Sequence, residues 1–204
     1  MQSATGALLL VLLLISGSCA QRRGANPPKK PENPIEKVQA KDNFSPAQFS
    51  GKWFLIGVAS RCEYLKENHY RLEATTIVVS ADPKDTKKLP ISTFRQLDGI
   101  CWEIRHGYQQ TGAPGRYSLK VRGYKSNVDV VVGDTDYNTY AMLYFQKQRS
   151  ISVKLYARSA TVANNIIEKY EQSVKEQGIE EDFIYYFPKY GFCKSADQFH
   201  ILKA

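Results

Sequence analysis

From Trp53 onward the chain consists of short runs in which apolar and polar residues alternate, separated by turn-forming residues. Alternation with a period of two residues is typical of β-strands that bury one face. The eight runs lie at residues 52–59, 74–81, 89–97, 100–108, 116–122, 127–134, 138–146 and 150–158. We therefore predict an all-β fold, an eight-stranded antiparallel up-and-down β-barrel whose interior holds side chains or one small ligand.

After Arg158 the spacing of apolar residues changes to the period of an amphipathic α-helix. The residues on the apolar face of this helix are Val162, Ile166, Ile167, Tyr170 and Val174. Thr161 is the predicted N-cap, and Gly178 is placed to end the helix. We expect this one C-terminal helix to pack outside the barrel, and a short β-like run from Phe183 to Phe187 follows it.

The first twenty residues are of a different kind, with an unbroken apolar run from Ala7 to Ile15 and small residues at Ser18 and Ala20. Such a run is too short to span a bilayer, and small residues at this spacing are typical of a signal-peptide cleavage site. The residues before the run depart from the usual pattern, since they contain no Lys or Arg. We predict a signal peptide over residues 1–20 and a secreted, extracellular product with no inserted membrane segment.

Half of the net charge of +8 lies near the start of the mature chain, where six basic residues between Gln21 and Lys41 accompany two acidic residues and four prolines. A segment of this composition has little apolar surface to bury. We predict that residues 21–43 form a solvated, basic, Pro-rich arm and that residues 44–204 form one domain. Steering of the arm towards an acidic surface is the alternative. Nucleic-acid binding is not predicted, because no recognition motif accompanies the charge.

Motifs for catalysis, metals and cofactors are missing from the sequence. His69, His106 and His200 lie far apart, and the chain has no C-x-x-C, H-E-x-x-H, G-x-S-x-G or glycine-rich phosphate motif. We therefore expect neither an enzyme nor a metal or cofactor site. Asn43 begins a formal N-glycosylation sequence, although Pro46 follows it directly and should restrict its use.

The number and positions of the cysteines indicate more about function than the charge does. Cleavage of the signal peptide removes Cys19, and the three that stay are Cys62, Cys101 and Cys193. In an oxidising compartment an odd number leaves one thiol for a second molecule or for chemistry of its own. Alternation from Ile100 places Cys101 opposite Trp102, so Cys101 points outward if the apolar face lines the barrel. Cys62 lies in a charged loop after the first strand.

Three short motifs occur in order along the domain. They are Gly51-Lys52-Trp53 at the first strand, Thr135-Asp136-Tyr137 between the sixth and seventh strands, and Arg158 at the end of the eighth. Together they resemble the signature segments of the lipocalin family. The resemblance implies that Trp53 packs across the closed end of the barrel beneath the guanidinium of Arg158. It also implies that Thr135 and Asp136 satisfy backbone donors in the nearby turn.

The resemblance further implies a calyx that binds a small hydrophobic molecule or a segment of a partner, with ordinary core packing as the alternative. Alternation carried round the strands gives its inner wall, with Lys154 nearer the mouth. The predicted calyx residues are Leu55, Thr75, Ile77, Ile104, Leu119, Val121, Val130, Leu143, Phe145, Lys154 and Tyr156, and the same wall includes Val79, Trp102, Val132 and Ala141.

Longer stretches such as VASRCEYLKENHYRLEATT and FPKYGFCKSADQFH resemble one secreted member of the family. This closer resemblance implies a disulfide between Cys101 and Cys193 that holds the C-terminal tail on the outer wall. It implies that Cys62 is linked to a second polypeptide, and a non-catalytic binding subunit is our leading hypothesis.

Two alternatives use other known lipocalins. A free lipocalin would use the Cys62 thiol to scavenge radicals or haem, helped by the charges of Arg61 and Lys66. A prostaglandin-isomerising lipocalin needs a cysteine on the second strand, where this chain has Thr75. The nucleophile for that reaction is therefore missing. An inert, buried Cys62 would support none of these hypotheses.

Overall fold

The computed structural model describes residues 33–82, 84–85, 87–120 and 127–203. In these residues the barrel strands are β1 (Gly51–Ser60), β2 (Thr76–Val79), β3 (Lys88–Leu97), β4 (Ile100–Gln110), β5 (Arg116–Leu119), β6 (Val128–Thr135), β7 (Tyr140–Lys147) and β8 (Ser150–Ala157). Two further strands are β9 (Ile184–Tyr186) and β10 (Ile201–Lys203). The α-helices are α1 (Pro46–Phe49), α2 (Glu63–Asn68) and α3 (Asn164–Glu176), and 3-10 turns span Pro34–Lys37, His69–Arg71, Glu181–Phe183 and Gln198–His200.

The eight barrel strands pair antiparallel in chain order, and β1 pairs with β8 to close the barrel. The predicted fold class is thus confirmed, with strand ends that differ from the predicted runs by a few residues. Pairing of β1 with β8 shifts by one residue between Leu55 and Gly57, so the inward and outward faces exchange there. The predicted fifth run extends beyond Leu119 to residues 121 and 122, which lie outside the described part of the chain.

The two ends of the barrel differ. Where β1 begins, α1 lies against the opening, and Phe49 and Trp53 are fully buried with ring centroids 5.0 Å apart. The ring of Phe44 packs edge-on against Phe49, with centroids 5.3 Å apart. We call this the closed end. The opposite, open end is bordered by the loops that join β1 to β2, β3 to β4 and β7 to β8.

Helix α3 packs outside the barrel, as predicted, and buries Tyr170 and Val174. The Tyr170 hydroxyl donates to the carbonyl of Val153 on β8 at 3.2 Å. The helix ends where expected, because Gly178 has a φ of 69° and its amide donates to the carbonyl of Lys175 at 2.9 Å.

The predicted start of α3 is wrong. The N-cap is Ala163, whose carbonyl accepts from the amide of Ile166 at 3.0 Å. Thr161 lies in the preceding turn, where its amide donates a hydrogen bond to Ser159 Oγ at 3.4 Å. The turn therefore holds Thr161 too early in the chain to cap the helix.

The prediction of a solvated arm is wrong for residues 33–41, which we call the N-terminal strap. Ile35 and Val38 are buried against the outer face of β6, β7 and β8. The amide of Ile35 donates to Gln146 Oε1 at 2.8 Å in a buried position. Arg116 donates to the carbonyls of Ile35 and Val38, and the amide of Lys41 donates to Val132 at 2.8 Å. Residues 21–32 of the predicted arm lie outside the described residues.

The C-terminal tail returns to the barrel wall. Strand β9, inside the run predicted from Phe183 to Phe187, pairs with the end of β1. Phe192 packs edge-on against Phe54 with ring centroids 4.8 Å apart, and the next residue, Cys193, is bonded to Cys101. The tail then forms β10, which runs parallel to β4.

Candidate functional site

The signature residues meet at the closed end. The guanidinium carbon of Arg158 lies 3.7 Å from the centroid of the Trp53 ring, and Arg158 donates to carbonyls of residues 48, 50, 52 and 137 at 2.9–3.1 Å. Gly51 has a φ of 102°, and a Cβ there would lie 3.1 Å from a guanidinium nitrogen. This position therefore suits glycine on two counts. The group joins α1, β1 and the end of β8, which is a structural role.

The turn after β6 completes the closed end. Asp136 Oδ1 accepts from the amides of Asn138, Thr139 and Tyr140 at 2.8–3.1 Å. Thr135 Oγ1 donates to the carbonyl of Tyr140 at 2.7 Å and accepts from the amide of Tyr137 at 2.9 Å. The turn is therefore self-contained, and it offers no free reactive group.

The predicted calyx residues fall into three groups. Those in the buried interior are Leu55, Ile77, Val79, Val130, Val132, Ala141, Leu143, Phe145 and Tyr156, with Leu119 packed against them. Ile104, Trp102 and Lys154 are partly exposed on β4 and β8, and Thr75 is buried immediately before β2. Val121 lies outside the described residues.

Several inward residues were missed by the sequence analysis. The buried ones are Leu89, Ile91, Tyr108 and Tyr117, and register places Thr93, Arg95 and His106 on the same inward face. The alternation of Leu89, Ile91 and Thr93 was the available signal. The inner half near the closed end is filled, whereas Ile104, His106 and Lys154 keep partial exposure inside the wall. These three partly exposed side chains lie in the open half of the barrel.

The charges inside the barrel are positive. Lys154 Nζ lies 4.4 Å from the centroid of the Phe145 ring, and burial, followed by the charge of Arg95, lowers the pKa of Lys154 to about 8. Burial and the charge of Lys154 also lower the pKa of His106. Among the described inward positions of β1–β8 there is no Asp or Glu, since Glu103, Asp129 and Asp134 face outward. Such a wall suits an apolar molecule whose polar group is neutral or anionic.

The Cys62 loop lies at the open end of the barrel, between β1 and β2. Cys62 is exposed and precedes α2, and its carbonyl accepts from the amide of Lys66 at 3.1 Å. The guanidinium of Arg61 turns away to the carbonyl of Gly178 and to Glu180, whose Oε1 is 3.9 Å distant. Arg61 is therefore committed to the end of α3 rather than to the thiol.

The other two cysteines form a disulfide, with Cα atoms 5.6 Å apart. This is the pair that the sequence resemblance implies. Cys193 is buried, and the bridge anchors the tail, whose strand β10 pairs with β4 at Glu103. Cys62 is the free cysteine of the described residues.

Large apolar side chains are exposed around the open end. Tyr64 and Tyr70 in the Cys62 loop are each 69% exposed, and Leu97 and Ile100 at the tip of the β3–β4 hairpin are 37% and 45% exposed. Exposed apolar groups clustered at one place mark interaction surfaces. Cys62 thus lies within a surface suited to contact with another molecule.

Other kinds of site are not found in the described part of the chain. Its His, Cys, Asp and Glu side chains form no group of three that would hold a metal ion. None of its helices is both long and apolar enough to cross a bilayer.

A comparison of the sequence with known protein families agrees with the observed fold. The family described as lipocalin / cytosolic fatty-acid binding protein matches residues 50–191. These residues contain the barrel, α3 and the three signature motifs. The chain belongs to the lipocalin family.

Individual relatives extend the likeness. The chain is 43% identical over 196 residues to complement component C8 gamma chain of Oryctolagus cuniculus, covering 96% of this chain and 95% of that one. It is 27% identical over 192 residues to Protein AMBP of Bos taurus, covering 92% of this chain and about half (53%) of that one. The solved structure of the siderocalin Ex-FABP shares the fold, with a TM-score of 0.60 at 19% identity over 71% of this chain and 96% of its own.

Proposed function

We propose that this chain is a secreted plasma lipocalin, the non-catalytic gamma-type subunit of the eighth complement component. In this proposal Cys62 forms a disulfide with the alpha chain, which holds the beta chain noncovalently, and the subunit enters the membrane attack complex of innate immunity. The 43% identity to the C8 gamma chain of Oryctolagus cuniculus supports the assignment. No contact of this chain with lipid is required by the proposal.

The observation that carries the proposal is the state of the three mature cysteines. Cys101 and Cys193 are bonded to each other, whereas Cys62 is free and exposed. In an oxidising compartment a free, exposed thiol is available to form a disulfide with a second polypeptide. Tyr64 and Tyr70 provide apolar surface beside it for a noncovalent contact.

We also propose that the calyx binds a small hydrophobic ligand or receives a segment of the partner. The apolar inner wall and the partial exposure of Ile104 and Lys154 support an accessible cavity. The cavity and Cys62 lie at the same end, so one partner segment can reach both.

The test is mass spectrometry of disulfide-linked peptides from the protein purified out of native serum. We expect a peptide containing Cys62 joined to a peptide of the alpha chain, and a second species that joins Cys101 to Cys193. A Cys62 bridged within its own chain, or recovered with small adducts alone, would reject the subunit assignment.

The second candidate is a free plasma lipocalin with a reactive thiol, similar to alpha-1-microglobulin, that scavenges radicals or haem. The exposure of Cys62 favours this candidate too. The turn of Arg61 towards Glu180 removes one of the positive charges expected to assist the thiolate. On a non-reducing gel of plasma protein, a subunit migrates with a much larger partner, whereas a scavenger migrates alone or with varied adducts.

A further inference from the structure

Tyr185 has a buried hydroxyl close to Cys62. The residue is 7% exposed, and its hydroxyl has no hydrogen-bond partner among the described residues. Strand β9 places Tyr185 opposite Val58, and the exposed His69 ring stacks on it with centroids 5.5 Å apart and planes at 25°. A buried hydroxyl without a partner is unfavourable in the free protein, so its presence calls for a reason.

Two carboxylates are among the groups that affect the pKa of this hydroxyl. Burial, and then the charges at Glu63, Cys62 and Asp182, raise the pKa of Tyr185. Glu63 and Asp182 are exposed and come from separate elements, α2 and the 3-10 turn before β9. Tyr185 is thus packed against the Cys62 loop through His69, and two carboxylates, one of which follows Cys62 directly in the sequence, act on its hydroxyl, in a chain whose net charge is +8.

We infer that Tyr185, Glu63 and Asp182 form a subsite that receives a Lys or Arg side chain next to the cysteine of a partner polypeptide. The carboxylates pair with the cation, and the Tyr185 hydroxyl accepts a hydrogen bond from it once the exposed His69 ring swings aside. The subsite positions the partner cysteine against Cys62. The inference rests on the proposed attachment through Cys62 and adds the chemistry of the segment that is attached.

The probes are three short peptides of equal length in which a cysteine is flanked by Lys, Ser or Glu. Each cysteine carries a thionitrobenzoate group through a disulfide bond. The Cys62 thiolate attacks the peptide sulfur, the new disulfide forms as the old one breaks, and yellow thionitrobenzoate leaves with the electron pair. No external oxidant is needed. The same reactions with the chain unfolded in denaturant give the intrinsic reactivity of each peptide.

We expect the folded chain, relative to the unfolded one, to react about tenfold faster with the Lys peptide than with the Glu peptide at low salt. Salt at about 0.5 M should remove most of this preference by screening. Glu63→Gln with Asp182→Asn should abolish the preference, whereas Glu168→Gln with Glu176→Gln, which removes the same charge on α3, should retain it. Equal rates for the three peptides would overturn the inference.

Tyr185→Phe separates the subsite from general charge attraction, and Tyr117→Phe is its matched control. Tyr117 is also a buried tyrosine whose hydroxyl has no partner among the described residues, but it lies near the closed end. Both variants should unfold at the wild-type temperature or up to about 3 °C above it. Tyr185→Phe alone should slow the Lys peptide about fivefold and leave the Ser peptide unchanged.

Equal rates in Tyr185→Phe and Tyr117→Phe would overturn the role of the Tyr185 hydroxyl. The peptides are independent of the alpha chain, so this failure can be told apart from failure of the proposed function. A chain that prefers the Lys peptide but lacks an alpha-chain disulfide in serum would retain the subsite and lose the complement assignment.

Discussion

Arg158 joins α1, β1, β8 and the turn after β6 at the closed end, because its guanidinium donates to the carbonyls of Gln48, Ser50, Lys52 and Tyr137. The guanidinium also covers the indole of Trp53, which is fully buried. A single residue thus holds α1, β1, β8 and the turn after β6 in one arrangement. The contribution is structural and distant from Cys62.

Arg158→Ala should therefore lower the free energy of unfolding by about 3 kcal/mol, from the lost hydrogen bonds and the cation–π contact. Urea unfolding followed by tryptophan fluorescence measures the change. Lys52→Ala is the control. The Lys52 side chain is exposed, and its nitrogen lies 5.0 Å from the centroid of the Phe54 ring, so its removal should change the free energy of unfolding little. An unchanged midpoint for Arg158→Ala would contradict the structural role.

The positive charge of Lys154, in contrast to that of Arg158, destabilises the folded protein. Its pKa is about 8 in the folded protein, against an ordinary value of 10.5. Between these values the unfolded chain binds more protons than the folded chain, so stability rises with pH in that window and is lowest below about pH 8.

Lys154→Met should consequently unfold at a higher urea concentration than the wild type at about pH 7.5, and the gap should narrow by about pH 10. The buried tyrosines are present in both proteins, so the effect of their titration on stability drops out when the two proteins are compared at the same pH. A gap that is constant or widens with pH would show that the Lys154 charge is not disfavoured inside the barrel.

At the scale of elements, α3 is held on the barrel by a polar cluster as well as by its apolar face. Lys169 Nζ lies 2.5 Å from Asp134 Oδ2, and the Tyr140 hydroxyl donates to the same oxygen at 2.8 Å. Burial acts to raise the pKa of Asp134, but the hydrogen bonds from Lys169 and Tyr140 and the nearby positive charges hold it below its usual value. The folded pKa is lower than the unfolded one, so this stability exists above about pH 4 and is lost as pH falls through the folded pKa.

Asp134→Asn should destabilise the protein at about pH 7 and reduce the loss of stability between about pH 4 and pH 2.5. Urea unfolding at these pH values measures both effects. Asp129→Asn, at an exposed position on the same strand, is the control and should follow the wild type. If Asp134→Asn lost as much stability between about pH 4 and pH 2.5 as the wild type does, Asp134 would not hold α3 on the barrel.

The elements also show what the sequence predicts. The eight strands and α3 are predictable because alternation or helical spacing repeats along each run. Strand β10 and helices α1 and α2, which are three to six residues long, are too short for either period to repeat. The N-terminal strap was misjudged because Ile35 depends on Gln146, a partner 111 positions away. The surroundings of Cys62 were not predicted for the same reason, because Tyr185 comes from β9, which is distant from Cys62 in the sequence.

At the scale of the whole molecule, the two ends of the barrel have different tasks. Signature residues and aromatic packing stabilise the closed end, whereas Cys62, the partly exposed inward side chains and several exposed apolar side chains lie at the open end. The Cys101–Cys193 bridge fastens the tail to the wall outside the mouth. We therefore expect a partner attached through Cys62 to dock over the open end.

Hydrogen–deuterium exchange of the free chain and of the proposed disulfide-linked complex with the alpha chain tests this polarity. Docking over the mouth should slow exchange about tenfold or more in residues 61–72 and at the β3–β4 hairpin, because their amides leave solvent. The turn at Asp136 is an internal control at the other end, and its exchange should not change. Protection of that turn, or equal exchange of the Cys62 loop in both samples, would place the partner elsewhere on the barrel.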